Sequence, residues 1–67
     1  MAIHKVIEVL SESGKGWEDA AEKAVEDAGK TVKNIRSLYV KELSATVKNG
    51  KISKYRVNAN ITFELGE

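Results

Sequence analysis

The sequence has no cysteine, one histidine and one tryptophan among its 67 residues. Without cysteine there is no disulfide framework and no thiolate metal site. His4 has no second histidine or cysteine to act with, and no glycine-rich phosphate loop is present, so no catalytic constellation can be assembled. The chain is therefore not expected to be an enzyme. It also lacks an excess of charge: eleven basic residues against ten acidic ones leave a net +1, with the signs interspersed. That is a poor footprint for nucleic acid or an anionic membrane. No apolar run approaches the roughly 20 residues of a membrane span. The opening residues are broken by His4, Lys5 and Glu8, unlike the apolar core of a signal peptide. These absences point to a cytoplasmic protein with no nucleic-acid or membrane partner. No internal repeat or low-complexity segment appears.

What is present is a globular composition, 42% hydrophobic and 31% charged, with room for a single domain over 1–67. A core this small, with no covalent staple, favours self-association as a source of further burial.

Residues Ile3–Leu10 alternate, with Ile3, Ile7 and Val9 on one side and His4, Glu8 and Leu10 on the other, as in a strand with one buried face. Residues 11–16 read as a loop, with Ser13 as the expected helix cap. From Gly16 to Asn34 the period changes. Trp17, Ala20, Ala21, Ala24, Ala28, Val32 and Ile35 follow helical spacing, and the alanine-rich stripe allows close approach to whatever it covers. Acidic residues lead and lysines follow, in accord with the helix dipole. Gly29 is a weak point, or a place of close backbone contact.

The remainder, Ile35–Leu65, is a hairpin folded at Asn49-Gly50, a pair suited to a turn with positive φ at both positions. Counting back from that turn pairs Ser44 with Tyr55, Glu42 with Val57, Val40 with Ala59 and Leu38 with Ile61. One face then carries Leu38, Val40, Tyr55, Val57, Ala59, Ile61, Phe63 and Leu65, and the helix should cover it. The other carries Ser37, Tyr39, Lys41, Leu43, Ala45 and Val47 opposite Ile52, Lys54, Arg56, Asn58, Asn60 and Thr62. A bulge near Lys41-Glu42 would reassign Leu43, Ala45 and Val47. The hairpin strands would run about 40–45 Å, against about 28 Å for the helix. The tip therefore overhangs, and Leu43, Ala45, Val47 and Ile52 are expected to pack on another copy of the chain. The fold class is α+β: strand, helix, strand, strand, as a three-stranded antiparallel sheet in order 1-3-2 with the helix on one face.

Few residues invite chemistry. Gly14-Lys15-Gly16 lacks the full phosphate-loop spacing and reads as a turn. Glu18, Asp19 and Glu22 are a solvated helix face that could hold a hard cation at an oligomer axis. Trp17, at the start of the alanine stripe, reads as a core anchor. Tyr39 and Arg56 fall on the face away from the helix, where an aromatic ring and a guanidinium can receive a planar ligand.

Several segments in order, HKVIEVL from His4, Gly16-Trp17-Glu18-Asp19-Ala20-Ala21, Ala24-Val25 to Lys30-Thr31-Val32, Asn34-Ile35-Arg36, and Tyr55-Arg56-Val57 to Phe63-Glu64-Leu65, resemble the dodecins over nearly the whole chain. The resemblance implies a hollow homododecamer of cubic 23 symmetry that binds flavins, FMN or riboflavin, for storage or buffering. In flavin-binding dodecins a tryptophan early in the second strand stacks on the isoalloxazine ring, and a glutamine in the third hydrogen-bonds its polar edge. Those positions fall here on Ser37 and Arg56. With Tyr39, two residues on, as a substitute platform, the implied cofactor-binding set is Ser37, Tyr39 and Arg56. The chain is similar to the branch that keeps a helix tryptophan, here Trp17, and lacks the strand tryptophan. That branch implies the alternative: a structural or calcium-type ion-binding shell without flavin, holding a divalent cation.

Overall fold

The computed structural model describes residues 3–66. Its elements are β1 (Ile3–Ser13), α1 (Trp17–Ala28), β2 (Ile35–Lys48) and β3 (Lys51–Leu65), in an antiparallel sheet of order β1-β3-β2. The expected architecture and strand order are those found. Asn49 and Gly50 have φ of 55° and 76°, so the hairpin closes by the turn expected of that pair.

Two boundaries differ from the sequence reading. Strand β1 runs on to Ser13, because its ladder with β3 continues as far as Ser13 opposite Tyr55. Ser13 is therefore not the helix cap. Gly16 holds that position and supplies no side-chain bond. Instead the buried Ser13 hydroxyl accepts the Lys15 N–H at 2.9 Å and donates to Asp19 Oδ2, which fixes the turn into the helix.

Helix α1 ends at Ala28, not near Asn34. Gly29 is helical, at φ −64°, and a Cβ there would meet only carbonyls of the helix itself, so no close partner requires glycine. Val32 N–H still reaches the Ala28 carbonyl at 2.8 Å. At Asn34 the chain turns left-handed, φ 63°, and its carbonyl accepts the Glu64 N–H at 3.0 Å. Docking onto the sheet edge overrides the helical periodicity there. Lys30 and Lys33 consequently lie beyond the helix, whose last turn has no basic residue.

The hairpin register agrees with the sequence at the turn and from Ser37 to Val40, and departs from it between them and at Ile35. Lys48 faces Lys51, Val40 faces Ala59 and Leu38 faces Ile61, as expected. Between them, however, Ala45 faces Tyr55 and Leu43 faces Val57. Two register shifts leave Lys41 unpaired on β2 and Ser53 unpaired on β3, and these two extra residues offset one another; a third, at the start of β2, leaves Arg36 unpaired. Residues directly opposite share a face, so Leu43, Ala45, Val47 and Ile52 move to the helix side of the sheet.

The core is small. Ala20 and Ala24 of the helix are buried with Val57, Ala59 and Ile61 of β3, and Val9 and Leu38 flank the Ala20–Val57–Ala59 cluster. Alanine on alanine brings helix and sheet into close contact, at the cost of little apolar area per residue. The helix lies over β1 and β3 and barely reaches β2. Its twelve residues span about 18 Å, whereas the molecule is 51 Å long. The radius of gyration is 13.7 Å, against about 11 Å for a compact domain of this length. The accessible surface is 5043 Å², against about 4,200 Å² for a compact monomer of this mass. The overhang is larger than the sequence lengths implied, and Leu43, Val47 and Ile52 on it are 57%, 67% and 48% exposed.

Candidate functional site

The sheet face away from the helix is the candidate ligand surface. Its orientation is fixed by Tyr55, whose ring meets Trp17 on the helix side at 4.8 Å between centroids and 79° between planes. Arg56 therefore points the other way. Register then gives four rungs across β1, β3 and β2: Glu12–Arg56–Ser44, Leu10–Asn58–Glu42, Glu8–Asn60–Tyr39 and Val6–Thr62–Ser37. The central strand supplies a row of hydrogen-bonding side chains. The flanks add exposed Val6, Leu10 and Tyr39, the last 67% exposed. A polar spine edged by apolar side chains and one ring suits a flat, partly polar ligand.

Three ion pairs bridge strands among the described residues. Lys41 Nζ lies 3.1 Å from Glu8 Oε2, and Arg36 Nε 3.0 Å from Glu64 Oε1, both with hydrogen-bond geometry. Arg56 Nε stands 3.6 Å from Glu12 Oε1 without a hydrogen bond, and that nitrogen is buried and unpartnered, as is Asn58 Oδ1 on the next rung. Such atoms are costly to leave without a hydrogen bond.

Of the three residues singled out from the sequence, Ser37 and Tyr39 occupy adjacent rungs, opposite Thr62 and Asn60. Arg56 lies on the same face, but four residues along β3 from Asn60 and six from Thr62, or about 13 and 20 Å at the rise of a strand. One protomer thus brings Ser37 and Tyr39 together and holds Arg56 apart. Glu12, Leu10 and Asn58 were missed. Glu12 falls in a stretch whose composition reads as loop, and only the β1–β3 register reveals that it faces Arg56.

The other candidates lie elsewhere. Trp17 donates its indole N–H to the Ser44 carbonyl at 2.8 Å, clamping the start of the helix to β2. It is 37% exposed and lies outside the core, so it is a surface clamp and not the core anchor expected from its place in the stripe. The Asp19 carboxyl is held below its ordinary value, first by the Ser13 hydroxyl, which outweighs the opposing effect of desolvation, with lesser help from Lys23 and Lys15. Lys23 Nζ lies 3.6 Å from it. Among the described residues no group of three or more histidine or acidic side chains is gathered to hold a metal. A groove of about 290 Å³ between β1 and α1, lined by Ile7, Val9, Ala24, Ala28 and Val32, contains none of the three residues. No helix among the described residues is long and apolar enough to cross a membrane.

A three-stranded sheet with one covering helix and an open, ligand-suited face defines a small binding module. The chain belongs to the dodecin family, whose profile matches residues 3–66. Dodecins are small binding and storage proteins rather than enzymes. Calcium dodecin of Mycobacterium tuberculosis is 36% identical over 66 residues, 97% of this chain and 92% of that protein. Its crystal structure, described as that of a calcium-chelating antigen with a novel calcium-binding site, matches with a TM-score of 0.83 at 35% identity, covering 96% and 91% of the two chains. A crystallised variant of Thermus thermophilus dodecin matches with a TM-score of 0.94 at 28% identity over the whole of both chains. The relative with the higher identity is thus not the one with the closer backbone.

Proposed function

We propose that the chain is a homo-oligomeric, non-enzymatic small-ligand store, a dodecamer of 23 symmetry in the cytoplasm, with a flavin as its ligand. The observation that carries this reading is the open sheet face, where an exposed Tyr39 ring lies beside the polar row Arg56, Asn58, Asn60 and Thr62 in a chain of the dodecin family. Ser37, Tyr39 and Arg56 line the site. Since Ser37 offers no stacking plane, Tyr39 supplies the ring contact, and a lost stacking surface weakens binding by about 1–3 kcal/mol per ring face. Arg56 and Ser37 are too far apart on one protomer to hold a single ring, so the site forms where faces of two copies meet. Arg56 favours a phosphate-bearing flavin such as FMN over riboflavin, because guanidinium pairs with phosphate in a bidentate fashion.

Titrating FMN and riboflavin against purified, assembled protein while following flavin fluorescence tests this. Saturable quenching, stronger for FMN and weakened by Arg56→Ala, is expected. Unchanged fluorescence with intact assembly overturns the flavin reading, and an FMN affinity untouched by Arg56→Ala overturns the role given to that residue.

A second reading is favoured by the 36% identity to a calcium dodecin together with Ser37 at the stacking position: an ion-binding shell without flavin. Among the described residues the acidic groups are not gathered, so Glu18, Asp19 and Glu22 of several copies would have to converge at a symmetry axis. Calcium titration by calorimetry, repeated on Glu18→Gln and Glu22→Gln, separates the two readings.

A further inference from the structure

The rung Glu12–Arg56–Ser44 has features that the general role of Arg56 does not explain. Glu12 and Arg56 are directly opposite on neighbouring strands, the placement most favourable for a close ion pair. Yet theirs is the one cross-strand pair among the described residues that lacks a hydrogen bond. The guanidinium Nε is buried and unsatisfied at 3.6 Å from the carboxylate. Lys54 is next along the same face of β3, and its rung partner Thr46 has its hydroxyl engaged by the Lys54 backbone N–H at 3.1 Å. Lys54 and Ser44 are therefore the neighbours of Arg56 on this face by register, and Glu12 is the single acid on these two rungs of β2 and β3 with their β1 neighbour.

We propose that this rung is an anion-exchange point, at which a phosphate group displaces Glu12 from Arg56, and that Glu12 thereby sets the preference between phosphate-bearing and neutral ligands. A loosely held carboxylate is a weak competitor, whereas a phosphate offers three oxygens and about two charges to the guanidinium fork, with Lys54 adding a second cation. No covalent step is involved. One charged oxygen partner replaces another, and Glu12 turns out to solvent. The inference deepens the ligand site proposed above, since it rests on Arg56 serving that site, but the exchange itself needs no flavin.

The test uses the assembled protein and two kinds of probe. Inorganic pyrophosphate, titrated by calorimetry at low salt, reports the exchange alone. FMN and riboflavin, titrated by fluorescence, report the ligand site. Removing an exposed competing carboxylate by Glu12→Gln should tighten pyrophosphate binding about twofold to fivefold, the range of an exposed ion pair. The ratio of FMN to riboflavin affinity should rise by a similar factor, and both gains should shrink at high salt. Glu12→Thr, which suits a strand position, should reproduce the effect if Glu12→Gln assembles poorly. Pyrophosphate bound no more tightly by either variant than by the unaltered protein overturns the proposal, whatever the flavins do. Tighter pyrophosphate binding with no flavin bound by any variant supports the exchange and overturns the flavin reading alone.

Discussion

The two ends of the hairpin are built from similar residues and meet opposite fates. At the base, Val57, Ala59 and Ile61 are at most 1% exposed beneath the helix. Toward the tip, Leu43, Val47 and Ile52 share the same sheet face and are about half exposed or more. Both regions present apolar side chains to that face. What differs is cover: a twelve-residue helix is shorter than the strands it lies on, and it sits over β1 and β3. Burial is thus decided by the reach of one element, and the uncovered end is surface suited to a second chain. Trp17 and Ser13 stand at the boundary between the regions, one clamping the helix start to β2, the other fixing the turn that leads into it.

The largest effect is expected at the base. Ile61→Ala removes a fully buried side chain from a small core and should cost about 2–5 kcal/mol, read as a lower denaturation midpoint. At the tip, Val47→Asp or Ile52→Lys should instead abolish assembly while leaving the helix signal in circular dichroism. A variant eluting at the full assembly size would show that the tip is not an interface. At the boundary, Trp17→Phe keeps an aromatic ring against Tyr55 but leaves the Ser44 carbonyl without its donor, for a loss of about 1 kcal/mol. The smallest effect concerns pH. Asp19 has a folded pKa below its ordinary 3.8. Its ionised form therefore contributes stability above that value, and the contribution is lost as pH falls through the folded pKa. Ser13→Ala removes the first cause of the shift. Unfolding curves of the two proteins should differ most near neutral pH and converge below the ordinary carboxylate range. They should not merge fully, because the Lys15 N–H contact is independent of pH. A difference that stays constant with pH would show that Ser13 acts through packing alone.

Much of the candidate face was legible because strand alternation places Tyr39 and Arg56 away from an alanine-striped helix, whatever the details. Ser37 and Tyr39 fell on neighbouring rungs as alternation requires. The distance of Arg56 from them was equally implicit in the residue count. Its partner was not. Glu12 lies in a serine- and glycine-rich stretch that reads locally as loop, and only hydrogen bonding to β3 extends the strand through it. Asn58, half-buried beside it, gave no sign of its unpartnered oxygen, because satisfaction is a property of neighbours brought together by the fold.

By itself the sequence determined the element order, the turn at Asn49-Gly50, the alanine face of the helix and the sheet order, since all rest on local periodicity and turn chemistry. It also determined, through the resemblance it carries, the family. The tertiary structure alone decided where the helix stops, because the edge contact of Asn34 with Glu64 competes with continued helical turns. It also decided which face the tip residues take. Two bulges, at Lys41 and Ser53, shift the register and then restore it. Nothing local marks a bulge, because its cost and its benefit both lie in how a long twisted hairpin meets its neighbours.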